Sequence, residues 1–291
     1  MTTAAAVPST RGELEGDEAL ETLRVLCGYD EDLRCDANRA KNRLRDLLVA
    51  VCPPVERLLG PRLDHPAVQV LLARYPTPTA LRAAGRARML RLVRPLAPRL
   101  ADQLVIDLLA ALQAQTLAVP AEAAQGRVIS ELAASVADLH RRRSALADDV
   151  EAVFSVHPLA PVLRSLPGIG TRTGARILAE IGDIGRFPTS AHLAAYAGLA
   201  PVTRRSGSSI RGETRSRRGN HRLKNALFLT AFCSLNHPPS RAYYDAKRAL
   251  GKKHNAAIIC LARRRCDVLH AMLGTTAPYT TRTVPSPARA A

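Results

Sequence analysis

The sequence predicts a mainly α-helical protein: a helical-bundle and coiled-coil region followed by a second helical domain, with no sheet larger than a hairpin. Three observations carry this expectation. Apolar residues recur at three- and four-residue spacing through much of the 291-residue chain, the period of a helix face. Aromatics make up 3% and Trp is absent, so the core must be built from Leu, Val, Ile and Ala, which favours helix over sheet. Prolines then cut the periodic runs into segments of helical length.

In chain order, residues 1–12 are small and polar and are expected to be disordered. Residues 14–52 read as one helix, with Leu33, Ala37, Ala40, Leu44, Leu47 and Leu48 on a single stripe. Arg34, Arg39, Lys41, Arg43 and Arg45 lie opposite. Cys52-Pro53-Pro54 ends it. Residues 55–120 form short helices separated by Pro66, Pro76, Pro78, Pro95 and Pro98, one of them over 100–116. A long helix follows over 121–157, with Val128, Leu132, Val136, Leu139, Leu146, Val150 and Val153 along one side. That spacing approaches a heptad, so this helix is either a bundle member or an intermolecular arm.

His157-Pro158 marks the expected boundary between a region over 13–157 and a domain over 158–274. The second domain opens with LRSLPGIG and TRTGARILAEIG, a helix, a tight turn and a helix. A Pro-Gly-Ile-Gly turn with apolar flanks is a helix-hairpin-helix signature. Gly168 and Gly170 let the backbone turn, and Thr171 and Arg172 open the next helix, whose N–H groups suit a DNA phosphate. Thr189 and Ser190 supply the cap of a further helix.

The stretch over 200–220 is rich in Gly and Ser and reads as an irregular loop between packed helices. Between Arg204 and Lys224 it carries eight Lys or Arg and one acid, Glu213. Gly219-Asn220 offers the next helix start, with His221, Arg222 and Lys224 in its first turn. Cations there oppose the helix dipole, and a bound phosphate would explain them. Pro238-Pro239 breaks that helix, Ser240 caps the one over 241–250, and the last helix runs over 253–273. The tail over 275–291 is expected to be disordered.

The formal net charge is +17, which calls for a polyanionic partner, nucleic acid before membrane. No signal peptide or run of 18 apolar residues is present, so the expected location is cytoplasmic, with no membrane contact. Six cysteines form no C-x-x-C pair and complete no zinc site; Cys233, Cys260 and Cys266 read as small core residues. The N-terminal acids read as helix-start or solvated residues, and no metal ligand is assigned within the chain.

The basic stretch admits three readings. Arg204, Arg205, Arg211, Arg217, Arg218, Asn220, Arg222 and Lys224, with backbone N–H groups such as that of Gly207, could grip nucleic acid without chemistry. Ser206, before Gly207, could attack a phosphodiester. The stretch could also be inert surface. A serine hydroxyl needs a base or a strongly polarised phosphate, and the stretch offers no clustered acids.

GLAPVTRRSGSSIRGE followed by SRRGN resembles the C-terminal transposase domain of the insertion-sequence 110/116/902 family. LRVLCGYDEDL, LRSLPGIGTRTGARILAEIGD and AYYDAKRALGKKHNAAIICLARRRCDVLHAML fit the same family in the same order, so the resemblance spans about residues 12 to 274. It implies that Ser206 is the nucleophile of a DNA transposase and recombinase. It implies DNA and a structured guide RNA as partners, and a coiled-coil insertion serving as a homo-oligomer arm. It also implies an N-terminal RuvC-like α/β domain whose carboxylates hold a divalent metal such as Mg. About 20 residues without strand pattern precede Leu23, so that domain is expected to be largely missing. The expectation is an N-terminally truncated transposase, inactive alone; the alternative is a non-catalytic DNA- or RNA-binding module.

Overall fold

In a computed structural model, the described residues are 10–114, 120–206, 209–215 and 218–280; side chains are described for 17–114, 120–200 and 218–280. Helix dominates, as composition and periodicity require, and one two-stranded antiparallel sheet is present among the described residues. The chain divides into two compact units, Met1–Gly28 with Ala147–Ala291, and Tyr29–Leu146. The division falls at Gly28 and Leu146 rather than at the expected His157 boundary. Two long helices, α1 (Thr10–Val51) and α6 (Glu122–Val156), each contribute residues to both units. α1 begins inside the stretch expected to be disordered.

The unit over 29–146 contains α2 (Pro53–Leu59), α3 (Pro66–Arg74), α4 (Pro78–Val93) and α5 (Ala101–Gln113). Three of these begin with proline, whose missing N–H is spare at a helix start. The His65 ring accepts from the Ala67 N–H at 3.2 Å and the Thr77 hydroxyl from the Ala80 N–H at 3.1 Å, which fixes two of those starts. The core joins Leu44, Leu48, Val55, Leu59, Val68, Leu72, Leu81, Met89, Leu104, Leu108 and Ile129. On α6 the buried stripe is Ile129, Ala133, Val136, Leu139, Leu146, Val150 and Phe154. Val128 is exposed and Leu132 and Val153 only half-buried, because the true stripe starts one residue later than the sequence reading placed it.

The other unit contains α7 (Ala160–Ser165), α8 (Thr171–Ile181), α9 (Ser190–Tyr196), β1 (Pro201–Ser206), β2 (Ser209–Arg215), α10 (His221–Cys233), α11 (Pro238–Ala249) and α12 (His254–Thr275). α10 packs between α8 and α12, and its buried Leu223, Leu227 and Ala231 face them. α12 buries a stripe of Ala257, Ile258, Leu261, Ala262, Cys266, Leu269 and Leu273. Burial pushes the Cys266 thiol up to about 12, so it is an inert apolar group. Cys260 is half-buried, but Cys233 is exposed, contrary to its reading as core. Ser240 does not cap α11: the helix starts at Pro238, which leaves Ser240 buried within its first turn. The tail does not begin free at Thr275. The Tyr279 N–H donates to the Ser165 hydroxyl at 2.7 Å, and its ring meets His237 edge-on. Residues 281–291 lie outside the described residues.

Candidate nucleic-acid interface

The expected loop around Ser206 is instead a β-hairpin. β1 pairs antiparallel with β2, Pro201 opposite Arg215 and Ser206 opposite Ser209. Backbone pairing satisfies the polar groups that a loop would leave to water, and Val202, Thr203, Ile210 and Thr214 supply β-branched residues. Thr203 faces Glu213 while Arg205 faces Ile210. One residue of β1, Arg204, is therefore opposed by two of β2, Arg211 and Gly212, which is the geometry of a bulge. Ser206 ends β1. For the strands only the backbone is described, and Gly207 and Arg217 lie outside the described residues.

The base of this hairpin is a closed joint. Gly198 has φ +65° and Gly219 φ +98°, conformations that favour glycine. A Cβ added at Gly219 would sit 2.7 Å from the Gly198 nitrogen and 2.7 Å from the Tyr196 carbonyl oxygen. One added at Gly198 would collide with the Arg218 carbonyl oxygen. The two chain segments therefore cross backbone to backbone. Across the crossing, the Asn220 N–H donates to the Tyr196 carbonyl at 2.7 Å. The Lys224 ammonium donates to the Gly198 carbonyl at 2.7 Å.

Asn220 does three further things. Its Oδ1 accepts from the Leu223 N–H at 2.9 Å and so caps α10. Its Nδ2 donates to Glu180 Oε2 at 2.7 Å and to the Tyr196 hydroxyl at 2.9 Å. Glu180 in turn lies 3.6 Å from the Arg176 guanidinium one helical turn earlier on α8, and both side chains are largely buried. Arg176 also donates to the Cys27 carbonyl. Asn220 and Lys224, expected to face nucleic acid, thus hold the hairpin to α8 and α9. The Gly198 carbonyl supplies an internal reason for a cation in the first turn of α10.

The expected tight turn joins α7 to α8 at Leu166–Gly170. Gly168 has φ +86°, and a Cβ there would lie 2.8 Å from the Ser234 nitrogen and collide with the Thr230 carbonyl oxygen. Its glycine requirement comes from packing against the end of α10. Gly170 is exposed and caps α8, its N–H donating to the Thr173 hydroxyl at 3.1 Å. The Thr171 hydroxyl donates to Glu151 of α6, which also accepts from Arg164 and, at 3.0 Å, from the Ser155 hydroxyl. The Thr171 bond first, with Ser155 and Arg164 behind it, holds that carboxyl below its ordinary range. Arg172, Arg218 and Arg222 are exposed.

Sequence reasoning missed Glu180, Arg176, Tyr196 and Arg265. Arg265 is 6% exposed and donates to the Pro167 carbonyl of the α7–α8 turn. Its Nε has no partner among the described residues, and burial lowers its pKa to about 10. A signal existed: Arg265 stands four residues from both Leu261 and Leu269, on the buried stripe of α12. No group of three or more His, Cys, Asp or Glu is gathered for a metal ion among the described residues. They do not fit the divalent-metal site implied for an intact family member, so metal chemistry is not assigned to them. No helix among them is long and apolar enough to cross a membrane.

Over 258 residues the chain is 52% identical to the insertion element IS110 43.6 kDa protein of Streptomyces coelicolor, covering 88% of this chain and 64% of that one. It is 36% identical over 260 residues to the IS116 44.8 kDa protein of Streptomyces clavuligerus, with 88% and 64% covered. It is 37% identical over 266 residues to the IS900 42 kDa protein of Mycobacterium paratuberculosis, with 91% and 66% covered. The chain thus spans about two thirds of the length of these relatives. The model of the IS116/IS110/IS902 transposase family matches residues 160–245, which hold α7 through most of α11 with the hairpin between. Residues 160–245 thus match the IS116/IS110/IS902 transposase family, and most of the chain is similar to proteins of insertion elements.

Proposed function

We propose that this chain binds DNA and takes part in strand transfer during movement of an insertion sequence, with Ser206 as the nucleophile. The observation that carries the reading is the position of Ser206. It ends β1 in a hairpin whose base is locked by Gly198, Gly219 and Asn220, inside the matched transposase domain. A nucleophile that must meet one phosphorus atom gains from such fixation. In the reaction, Ser206 Oγ forms a phosphoester with one DNA strand and the sugar oxygen leaves. The serine proton ends on that oxygen, and the bond energy is kept for rejoining. Arg204, Arg205 and Arg211 share the hairpin with Ser206 and would offset charge on the transferring phosphate. The α7–α8 turn acts as a helix-hairpin-helix, with Gly170 and Arg172 at a helix start suited to backbone phosphate. Arg218 and Arg222 extend that surface. A guide RNA and self-association through α6 belong to the same proposal.

The chain alone should bind DNA without forming a covalent adduct. Mixed with a full-length IS110-type relative, guide RNA and labelled DNA, it should give an adduct at its own mass on a denaturing gel. Its 31.3 kDa are separable from the relative's 43.6 kDa. The adduct should vanish in Ser206→Ala. An adduct that persists in Ser206→Ala removes Ser206 from the chemistry. Salt-dependent binding with no adduct at this chain's mass favours the non-catalytic nucleic-acid module.

A further inference from the structure

The unit over 29–146 holds a feature that the transposase-domain reading does not use. Arg74, in the last turn of α3, and Arg88 and Arg91, on α4, converge on an open pocket of about 270 Å³. Tyr75 and Leu92 complete its lining. Both are partly buried and packed against the hydrophobic core, so the apolar floor is fixed while the arginines are exposed. None of the three arginines has a hydrogen bond or ion pair among the described residues. The contrast within the unit is plain: Arg45 pairs with Glu56, Arg94 with Asp102 and Arg143 with Asp30. α4 contains no acid at all.

Three like charges converging without a carboxylate repel one another unless an anion joins them. Guanidinium forks match phosphate oxygens two at a time. A tyrosine ring at the floor offers a flat face for a base, the pairing that single-stranded binding sites use. We propose that this pocket is a second nucleic-acid site, taking the phosphates of a single-stranded stretch on Arg74, Arg88 and Arg91 and one base on Tyr75. The inference rests on the nucleic-acid reading of the chain but uses residues outside the matched domain.

The test uses the full chain with a fluorescent 20-nucleotide single strand, as DNA in one arm and RNA of the same sequence in the other. Binding is measured from 50 to 300 mM salt. Arg88→Gln with Arg91→Gln removes two phosphate contacts. The log–log salt slope should then become shallower by about 1.4, and affinity near 0.1 M salt should fall roughly 25-fold. Tyr75→Leu should cost about fivefold or more, while Tyr75→Phe should bind like the parent chain. The control pair Arg39→Gln with Arg241→Gln removes the same charge from exposed, ion-paired positions and should change affinity much less. A preference for DNA or RNA in the Tyr75-dependent part identifies the source of the strand. An unchanged slope in the Arg88/Arg91 variant overturns the site. If Arg172→Gln with Arg222→Gln lowers the slope in that same series, the transposase-domain reading survives alone. If the parent chain shows no salt-dependent binding, both fall.

Discussion

The joint at the hairpin base and the arginine pocket on α3 and α4 are opposites in hydrogen-bond accounting. At the joint, the polar groups named above are paired. Asn220 reaches Leu223, Glu180 and Tyr196, Lys224 reaches Gly198, and Glu180 also faces Arg176. In the pocket, Arg74, Arg88 and Arg91 line one opening, and neither Asp nor Glu is among its lining residues. A saturated network fixes geometry and has little left to offer a ligand. An unsaturated one is poor at fixing geometry and keeps its donors for a partner. Charge alone does not separate the two, since both are basic in sequence. What separates them is whether each cation already has an acceptor.

The sharpest way to break this comparison is to open the joint. Gly219→Ala places a Cβ 2.7 Å from two backbone atoms at φ +98°. The strained conformation and the overpacking each cost about 1–3 kcal/mol, so the variant should lose about 3 kcal/mol or more of stability to urea. Gly198→Ala should behave alike. Gly170→Ala sits at φ −102° with nothing within 4 Å of the added carbon, and should cost under about 1 kcal/mol. Equal losses at Gly170 and Gly219 would mean that the crossing of the two segments is not what holds the hairpin.

Much of the fold was legible, for reasons specific to each element. Pro53, Pro66, Pro78 and Pro238 were read as breaks between helices, which they are; each also opens the next helix, because a proline costs nothing there. Thr189 and Asn220 read correctly as caps because their oxygens are suited to that task. The hairpin was missed because Gly and Ser were weighed as loop formers over the whole stretch. Gly-Ser at 207–208 between two runs containing β-branched residues is itself a hairpin signal. The joint was not legible, since Gly198, Glu180 and Asn220 stand 18 to 40 positions apart and only tertiary structure brings them together. Arg265 was given no role although its spacing placed it on the buried stripe.

A subtler probe changes one atom at the joint. Asp is as good an N-cap as Asn, so Asn220→Asp keeps the bond from the Leu223 N–H. It replaces the Nδ2 donor, 2.7 Å from Glu180, with a second carboxylate oxygen. Two carboxylates that close share a proton, and the folded pKa of the pair rises above the unfolded value. The folded state then holds more protons than the unfolded one in the range above about 4, so stability falls as pH rises. The variant should lose about 2 kcal/mol at pH 7 and recover most of it near pH 4.5, relative to the parent chain at each pH. Asn220→Ala should lose about 1–2 kcal/mol with little pH dependence. A pH-independent loss in Asn220→Asp would mean that Glu180 does not face position 220.

The smallest expected effect lies in the pocket, and its sign matters more than its size. Arg88 and Arg91 are three residues apart on α4, so their side chains share a helix face. Like charges at that spacing destabilise a helix by about 0.2–0.5 kcal/mol. Neither side chain has a partner among the described residues to lose, and both are exposed. Arg88→Gln or Arg91→Gln should therefore raise the thermal midpoint slightly in 20 mM salt. The gain should fade in 500 mM salt, where the screening length drops to about 4 Å. Adding the single strand should reverse the order, protecting the parent chain more than the variants, because a ligand stabilises only the state that binds it. A loss of 1 kcal/mol or more in the unliganded variant would show that these arginines hold α4 in place. The pocket would then belong with the joint, and the distinction between paired and unpaired cations would no longer separate the two regions.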